Sequence, residues 1–250
     1  MLDSVHRESS VAPARHDRPR AVGILAVQGD FALHARMLDR VGAPWLLVKH
    51  ASDLNEAGAL IMPGGESTTM LKFFEGENLG PALLDFAAAG KLIFGTCAGA
   101  ILLAKEVLNP PQSHLGLIDI TVERNAYGRQ IDSAIRQGVL MNGASGETGK
   151  GQAGERHDEV LRDCHSRESG SLEGPGERGR PIEMVFIRAP IIRRIGDGVR
   201  VLGRAEGLPV LVEQSNILVA TFHPELSDDE TIHRYFLSKA LHEGGRLRSF

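Results

Sequence analysis

The chain has 250 residues, room for one large domain or two small ones, with 28 Lys and Arg against 32 Asp and Glu and a formal charge of −4. That balance excludes a strongly basic nucleic-acid coat and gives no electrostatic reason for an anionic membrane partner, while 42% hydrophobic residues exclude wholesale disorder. Aromatics at 5% disfavour base-stacking platforms, and two cysteines cannot build a disulfide framework, which points to a reducing, cytoplasmic setting.

In chain order, residues 1–20 mix charges, Ser, Ala and two prolines without the apolar run of a secretory leader. They are expected to form a disordered tail, with a targeting segment as the alternative. Residues 21–27 (AVGILAV) are nearly continuously apolar, as in a strand buried on both faces. Gln28-Gly29-Asp30 then makes a turn with a capping acid, and Phe31, His34, Ala35, Leu38 and Val41 recur at helical spacing. Residues 45–48 and 59–62 predict two further strands, the second closed by Pro63-Gly64-Gly65. Helices are expected from 67 towards 74 and over 79–89, a strand at 92–94, and a helix over 98–107. This alternation predicts an α/β fold: a single domain with an open, largely parallel sheet flanked by helices. No apolar run approaches the roughly 18 to 20 residues of a membrane span.

After Pro110-Pro111 the pattern changes to short β-like segments at 117–122, 184–188, 199–203, 209–213 and 217–222, followed by a helix over about 227–241. Residues 143–180 stand apart, with nine glycines among 38 residues and only Val160, Leu161 and Leu172 as large aliphatics. Too little apolar surface is there to offset the entropy of ordering. The stretch is expected to be a low-complexity insertion inside one domain spanning 21–242, with 243–250 as a C-terminal end.

Three local patterns carry chemistry. Gly95-Thr96-Cys97-Ala98-Gly99 follows an apolar strand and opens a helix, the cysteine form of a nucleophile elbow, in which a helix N-terminus favours a thiolate. A small buried hydrophobe is the other reading of Cys97. His223-Pro224-Glu225 follows the strand at 217–222; in extended backbone His223 and Glu225 share a face, so the carboxylate can orient the imidazole. A metal pair lacks a third ligand of suitable spacing, and a plain surface turn also fits. Gly64-Gly65-Glu66-Ser67 leaves backbone N–H groups free to face an oxyanion, or is an ordinary turn with Ser67 as N-cap. A phosphate loop is disfavoured, since no Lys-Ser/Thr pair follows the glycines. In an open α/β sheet the strand C-termini converge on one edge, so all three patterns fit a single site.

On LAVQGDFALHARML, LIMPGGESTTM, FGTCAGAILLAKE, HLGLIDITVERNAYGRQIDS, VFIRAP and TFHPEL, the sequence resembles the class I, triad-type glutamine amidotransferases. Within them it is similar to the glutaminase subunits of pyridoxal 5′-phosphate synthase, over roughly 21–136 and 182–242. GTCAG and HPE are shared widely among these glutaminases, whereas PGGESTTM with VERNAYGRQ belongs to the narrower group. The resemblance implies Cys97 as nucleophile, His223 as base and acid, and Glu225 as its orienting partner. It implies L-glutamine binding through Gly65, Glu66, Ser67, Arg124, Ile187 and Arg188, with the backbone N–H groups of Gly65 and Ala98 as oxyanion donors. A guanidinium is a natural partner for the glutamine carboxylate, though without the resemblance a strand-end surface charge is the favoured reading of the arginines. It further implies no cofactor or metal on this chain, no nucleic-acid or membrane partner, and docking on a (β/α)8-barrel synthase subunit that consumes the ammonia.

Two departures from the family pattern stand out. The interval 137–181 is swollen by the Gly-rich stretch, leaving 137–141 as the remnant of a family strand, and Ala134 stands where an aromatic is usual. A strand disturbed there would weaken glutamine binding at Ile187 and Arg188. Cys164-His165 lies inside the stretch and is expected to be an inert thiol rather than a metal or redox site. The competing functions are a glutaminase serving another synthase, a related cysteine amidase or peptidase, or a non-catalytic homologue inactivated by the insertion.

Overall fold

The computed structural model describes residues 21–125, 133–141 and 179–243. The expectations for the tail, for Cys164 and for nearly all of 143–180 lie outside the described residues. Strand β1 (Ala21–Leu25) leads into helix α1 (Phe31–Arg40), then β2 (Trp45–Val48) and β3 (Ala57–Met62). Helices α2 (Ser67–Gly76) and α3 (Leu79–Ala88) precede β4 (Ile93–Thr96) and the short α4 (Ala98–Leu103). There follow β5 (Ala104–Leu108), β6 (Ile118–Glu123), β7 (Ser133–Met141), β8 (Gly179–Ile187) and β9 (Ile191–Ile195). The chain closes with β10 (Arg200–Ala205), β11 (Leu208–Gln214), β12 (Ile217–Ala220) and α5 (Thr231–Glu243).

Nine strands form one sheet in the order β2-β1-β3-β4-β12-β11-β10-β7-β8. From β2 to β12 the pairs are parallel; from β12 onward they are antiparallel. The parallel half is the open α/β sheet that the sequence predicts, and the later β-like segments complete the same sheet. A separate three-stranded sheet, β5-β6-β9, packs on one side.

The continuous apolar character of the central strands follows from burial on both faces. In β4, Ile93 enters the layer with Phe74, Leu83 and Phe86 of α2 and α3, while Phe94 enters the layer with Leu38 of α1 and Phe236 of α5. Each such fully buried side chain contributes about 1.5–3 kcal/mol relative to exposure, so the central strands are the best anchored part of the molecule.

Several local expectations are corrected. The helix expected over 98–107 ends at Leu103, because Ala104 turns to ψ 151° and residues 104–108 pair with β6. Tertiary pairing here overrides a helical spacing of Ala104 and Val107. Asp30 and Ser67 make no N-cap bonds: Asp30 occupies the cap of α1 without a side-chain cap bond, and Glu66 rather than Ser67 occupies the cap of α2. Strand β9, absent from the sequence reading, carries two adjacent arginines and no alternating pattern. Finally, 137–141 is the end of a nine-residue strand, and β7 and β8 pair without a break from Ser133↔Ile187 to Met141↔Gly179. The strand leading into Ile187 and Arg188 is therefore not disturbed, and Gly179 and Arg180 belong to it rather than to the Gly-rich stretch.

Candidate active site

Three neighbouring strands end at one edge of the sheet, and the chemistry-bearing residues sit immediately beyond them. Cys97 follows β4, and its backbone N–H donates to the Ala220 carbonyl of β12 at 2.9 Å. Its backbone is left-handed, with φ 46° and ψ −99°. That is the strained strand-to-helix turn of a nucleophile elbow, a conformation that costs a non-glycine residue of order 1–3 kcal/mol. The elbow fits because Gly99 is bare: a methyl group there would overlap the Met62 carbonyl at the end of β3. Cys97 is 7% exposed and opens into the cleft, with Sγ 3.8 Å from the Ile187 carbonyl oxygen.

His223 follows β12 and is tied to β8 by its N–H, which donates to the Val185 carbonyl at 2.8 Å. Its Nδ1 lies 2.8 Å from Glu225 Oε1, and both side chains are buried. Burial alone lowers the proton affinity of this imidazole. The hydrogen-bonding and charge of Cys97 and Glu225 outweigh it and push the pKa up to about 10. With Nδ1 held by Glu225, Nε2 is the ring nitrogen left to face Cys97. Burial opposes the charge on Glu225 too, but the neighbouring His34 and His223 bring its pKa below the usual carboxylate value. A neutral-range site thus holds a protonated His223 between the Glu225 carboxylate and Cys97.

The Gly64-Gly65 turn closes the opposite wall. A Cβ on Gly64 would overlap the His223 ring, so glycine there is what lets the turn lie against the imidazole. The Glu66 N–H donates to Gln28 Oε1 at 2.7 Å, and Ser67 Oγ donates to Gln112 Oε1 at 2.9 Å. Arg188, itself at φ 44°, reaches across the mouth and pairs with Glu66 at 2.5 Å.

The resulting cleft has a volume of about 200 Å³. It brings together Gly65, Glu66, Ser67, Cys97, Arg124, Ile187, Arg188 and His223. Glu225 stands behind His223, and Ala98 is buried at the first position of α4, where a helix N–H has no intrahelical acceptor. Sequence reasoning missed Gln28, Asp30, Ile101 and Asn125, which also line the cleft. For Gln28 and Asp30 a signal was present, since their turn ends β1 at the same sheet edge. Asp30 Oδ2 lies 3.7 Å from His223 Nδ1, and Asp30, His223 and Glu225 bring one ligand atom each within 4.8 Å of one another. The third ligand that local spacing lacked thus comes from a distant turn. The 2.8 Å His223–Glu225 contact already engages Nδ1 in a hydrogen bond.

Known proteins resemble this chain over most of its length. The model of the SNO glutamine amidotransferase family matches residues 24–144 and 160–242. The pyridoxal 5′-phosphate synthase subunit PdxT of Solibacter usitatus is 49% identical over 220 residues, covering 88% of this chain and 99% of that protein. The PdxT proteins of Kosmotoga olearia and of Thermus thermophilus are each 42% identical over 88% of this chain and 97% of their own length. A crystal structure of a glutamine amidotransferase superposes with a TM-score of 0.70 at 39% identity, covering 88% of this chain and 98% of that one. PurLQS from Thermotoga maritima shares the fold at a TM-score of 0.59 and 16% identity, over 88% of this chain and 98% of that one.

Proposed function

Since the chain belongs to the SNO glutamine amidotransferase family, we propose that Cys97, His223 and Glu225 form the triad with which it releases ammonia from L-glutamine. The chain is a glutaminase, and its PdxT relatives identify it as the glutaminase subunit of a pyridoxal 5′-phosphate synthase. The observation that carries the residue assignment is the left-handed Cys97 elbow set beside a buried His223–Glu225 pair on adjacent strand ends.

The reaction is acyl transfer. The Cys97 proton already rests on His223, and the thiolate sulfur attacks the side-chain carboxamide carbon of glutamine. The backbone N–H groups of Gly65 and Ala98 receive the developing oxyanion. The C–N bond breaks as His223 returns the proton to the departing ammonia, leaving a glutamyl thioester. Water, deprotonated by His223, then hydrolyses the thioester to glutamate and free thiol. Arg124 and Arg188 take the substrate's α-carboxylate, and Glu66 and Ser67 line the same cleft. Glu66 and Arg188 already pair with each other at the mouth, so glutamine must exchange with that contact.

The ammonia passes to a (β/α)8-barrel synthase subunit docked over this sheet edge, in the cytoplasm. No helix among the described residues is long and apolar enough to cross a membrane. The Gly-rich stretch is an insertion in one domain, joining the β7 and β8 ends that lie furthest from Ile187.

The test is a coupled assay with the full chain and a barrel synthase subunit. Cys97→Ala is expected to lose glutamine-dependent pyridoxal 5′-phosphate formation by about 10³-fold or more, while added ammonium chloride restores product. Undiminished ammonia release from Cys97→Ala would overturn the nucleophile, and product formed without a barrel subunit would overturn the partner.

A further inference from the structure

Behind Glu225 lies a row of buried polar groups that the reaction above does not use. His34 of α1 and His233 of α5 are both fully buried, and so is Thr96, the last residue of β4. His34 Nδ1 lies 3.0 Å from His233 Nε2, and His34 Nε2 lies 3.3 Å from Thr96 Oγ1. The same Nε2 lies 3.3 Å from Glu225 Oε2, an oxygen that has no hydrogen-bond partner among the described residues. The Phe94 ring meets His34 edge-on at 6.5 Å and closes that side with hydrocarbon.

The proton positions follow from these contacts. Burial holds His34 neutral, opposed by Glu225 and Asp30 and reinforced by His223. Burial also pushes His233 down to about 3. Two neutral rings share one proton along the 3.0 Å contact. A bare lone pair on His34 Nε2 would face the lone pairs of a carboxylate, so Nε2 carries the proton. His34 Nδ1 is then an acceptor and His233 Nε2 the donor to it. That leaves His233 Nδ1 as a bare acceptor, in keeping with its having no partner. The assignment leaves neither ring with an unpaired N–H.

We propose that His34 is a positioning residue of the glutaminase reaction: its Nε2–H, set by His233, anchors Thr96 Oγ1 and faces the outer oxygen of Glu225, fixing the carboxylate that orients His223. The inference rests on the triad reading of Cys97, His223 and Glu225. One Glu225 oxygen is held by His223 at 2.8 Å, and the N–H dipole of His34 stabilises the charge on the other. Through Thr96 the same ring also braces the residue immediately before the nucleophile. Groups of this kind act on a reacting side chain through its supporting partner.

His34→Phe keeps a ring and removes both nitrogens, whereas His34→Gln keeps an N–H at the Nε2 position. In the full chain with a synthase subunit, His34→Phe is expected to lower kcat about 10- to 100-fold with KM for glutamine within about threefold. It also moves the acid limb of the kcat profile to higher pH by about half a unit or more, since an unsupported Glu225 takes up its proton sooner. His34→Gln restores both. Wild-type kcat and an unmoved acid limb in folded His34→Phe overturn the proposal. His233→Leu, further from the triad, carries the same test if the phenylalanine variant folds poorly. A kcat loss of about tenfold at unchanged KM supports the role, and wild-type kcat in that variant overturns it. Cys97→Ala is measured alongside: an inactive Cys97→Ala beside a fully active His34→Phe removes only the positioning role, whereas an active Cys97→Ala removes the triad itself.

Discussion

Cys97 has its place in the cleft written into its backbone, because a positive φ at the tight turn sets the side chain toward the cleft. The cost of that conformation is offset by the hydrogen bond from its N–H to β12 and by the bare Gly99 beneath the elbow. Gly64 plays the matching part on the facing wall. Gly64→Ala places a methyl group into the His223 ring, and an ångström of displacement of a catalytic group costs on the order of 10²-fold in rate. The variant is therefore expected to keep its fold and lose about two orders of magnitude in kcat for ammonia release, read by a glutamate-coupled assay. Retained kcat would show that the ring does not need its present place. The Gly-x-Cys-x-Gly and His-x-Glu patterns were legible because each is a local turn whose chemistry is carried by neighbours one or two residues away. Gln28 and Asp30 were signalled only by their turn at the end of β1, and His34, which reaches Glu225 from α1, was not legible as a site residue because no local spacing records it.

At the level of elements, strands buried on both faces were easy to see and strands defined by their partners were not. The apolar runs of β1, β3, β4 and β12 follow from double burial, which dictates composition directly. Strand β5, with Lys105 and Glu106 exposed, looks like the last turn of α4 until β6 pairs with it. Strand β7 likewise carries exposed residues at Ser133, Ile135 and Gln137, and only β8 makes it nine residues long. That hairpin carries a prediction. Ser133↔Ile187 lies at the site end and Met141↔Gly179 at the far end, eight residue pairs away along the strands. At about 3.3 Å per residue the two ends are separated by more than 20 Å. Replacing residues 142–178 with a short Gly-containing turn is expected to leave kcat and KM within about twofold, because added loop length changes closure entropy only slowly. A large rise in KM would mean that the stretch contributes to the glutamine site after all.

The whole molecule registers the site through its pH dependence. His223 binds its proton up to about pH 10 in the folded chain, against an ordinary value of 6.5. Its contribution is fully present below 6.5 and is lost as pH rises through about 10. His233 behaves in the opposite sense: at about 3 when folded against 6.5 ordinarily, it binds fewer protons folded than unfolded between those values, so stability falls as pH drops through that window. His34, lowered by burial, and Glu225, lowered by His34 and His223 despite burial, add to the acid-side loss. The thermal midpoint is therefore expected to peak near neutrality and fall on both sides. His233→Leu should flatten the acid side and Glu225→Gln the alkaline side, as read by calorimetry across pH. Curves parallel to wild type in both variants would contradict the assignment of these groups.

Met62↔Gly95, Gly95↔Val219 and Thr96↔Ala220 tie together the strands that deliver the glycine turn, Cys97 and His223. This ladder acts as a ruler with coarse graduations: the smallest slip it permits moves a strand end by about 3.3 Å and turns its side chains over. Slippage of these strand ends thus comes in whole steps or not at all, which leaves direct side-chain neighbours such as Gly64 and His34 as the means of fine adjustment. Chain length can vary at the opposite edge of the sheet, as between β7 and β8, without altering the setting of the ruler.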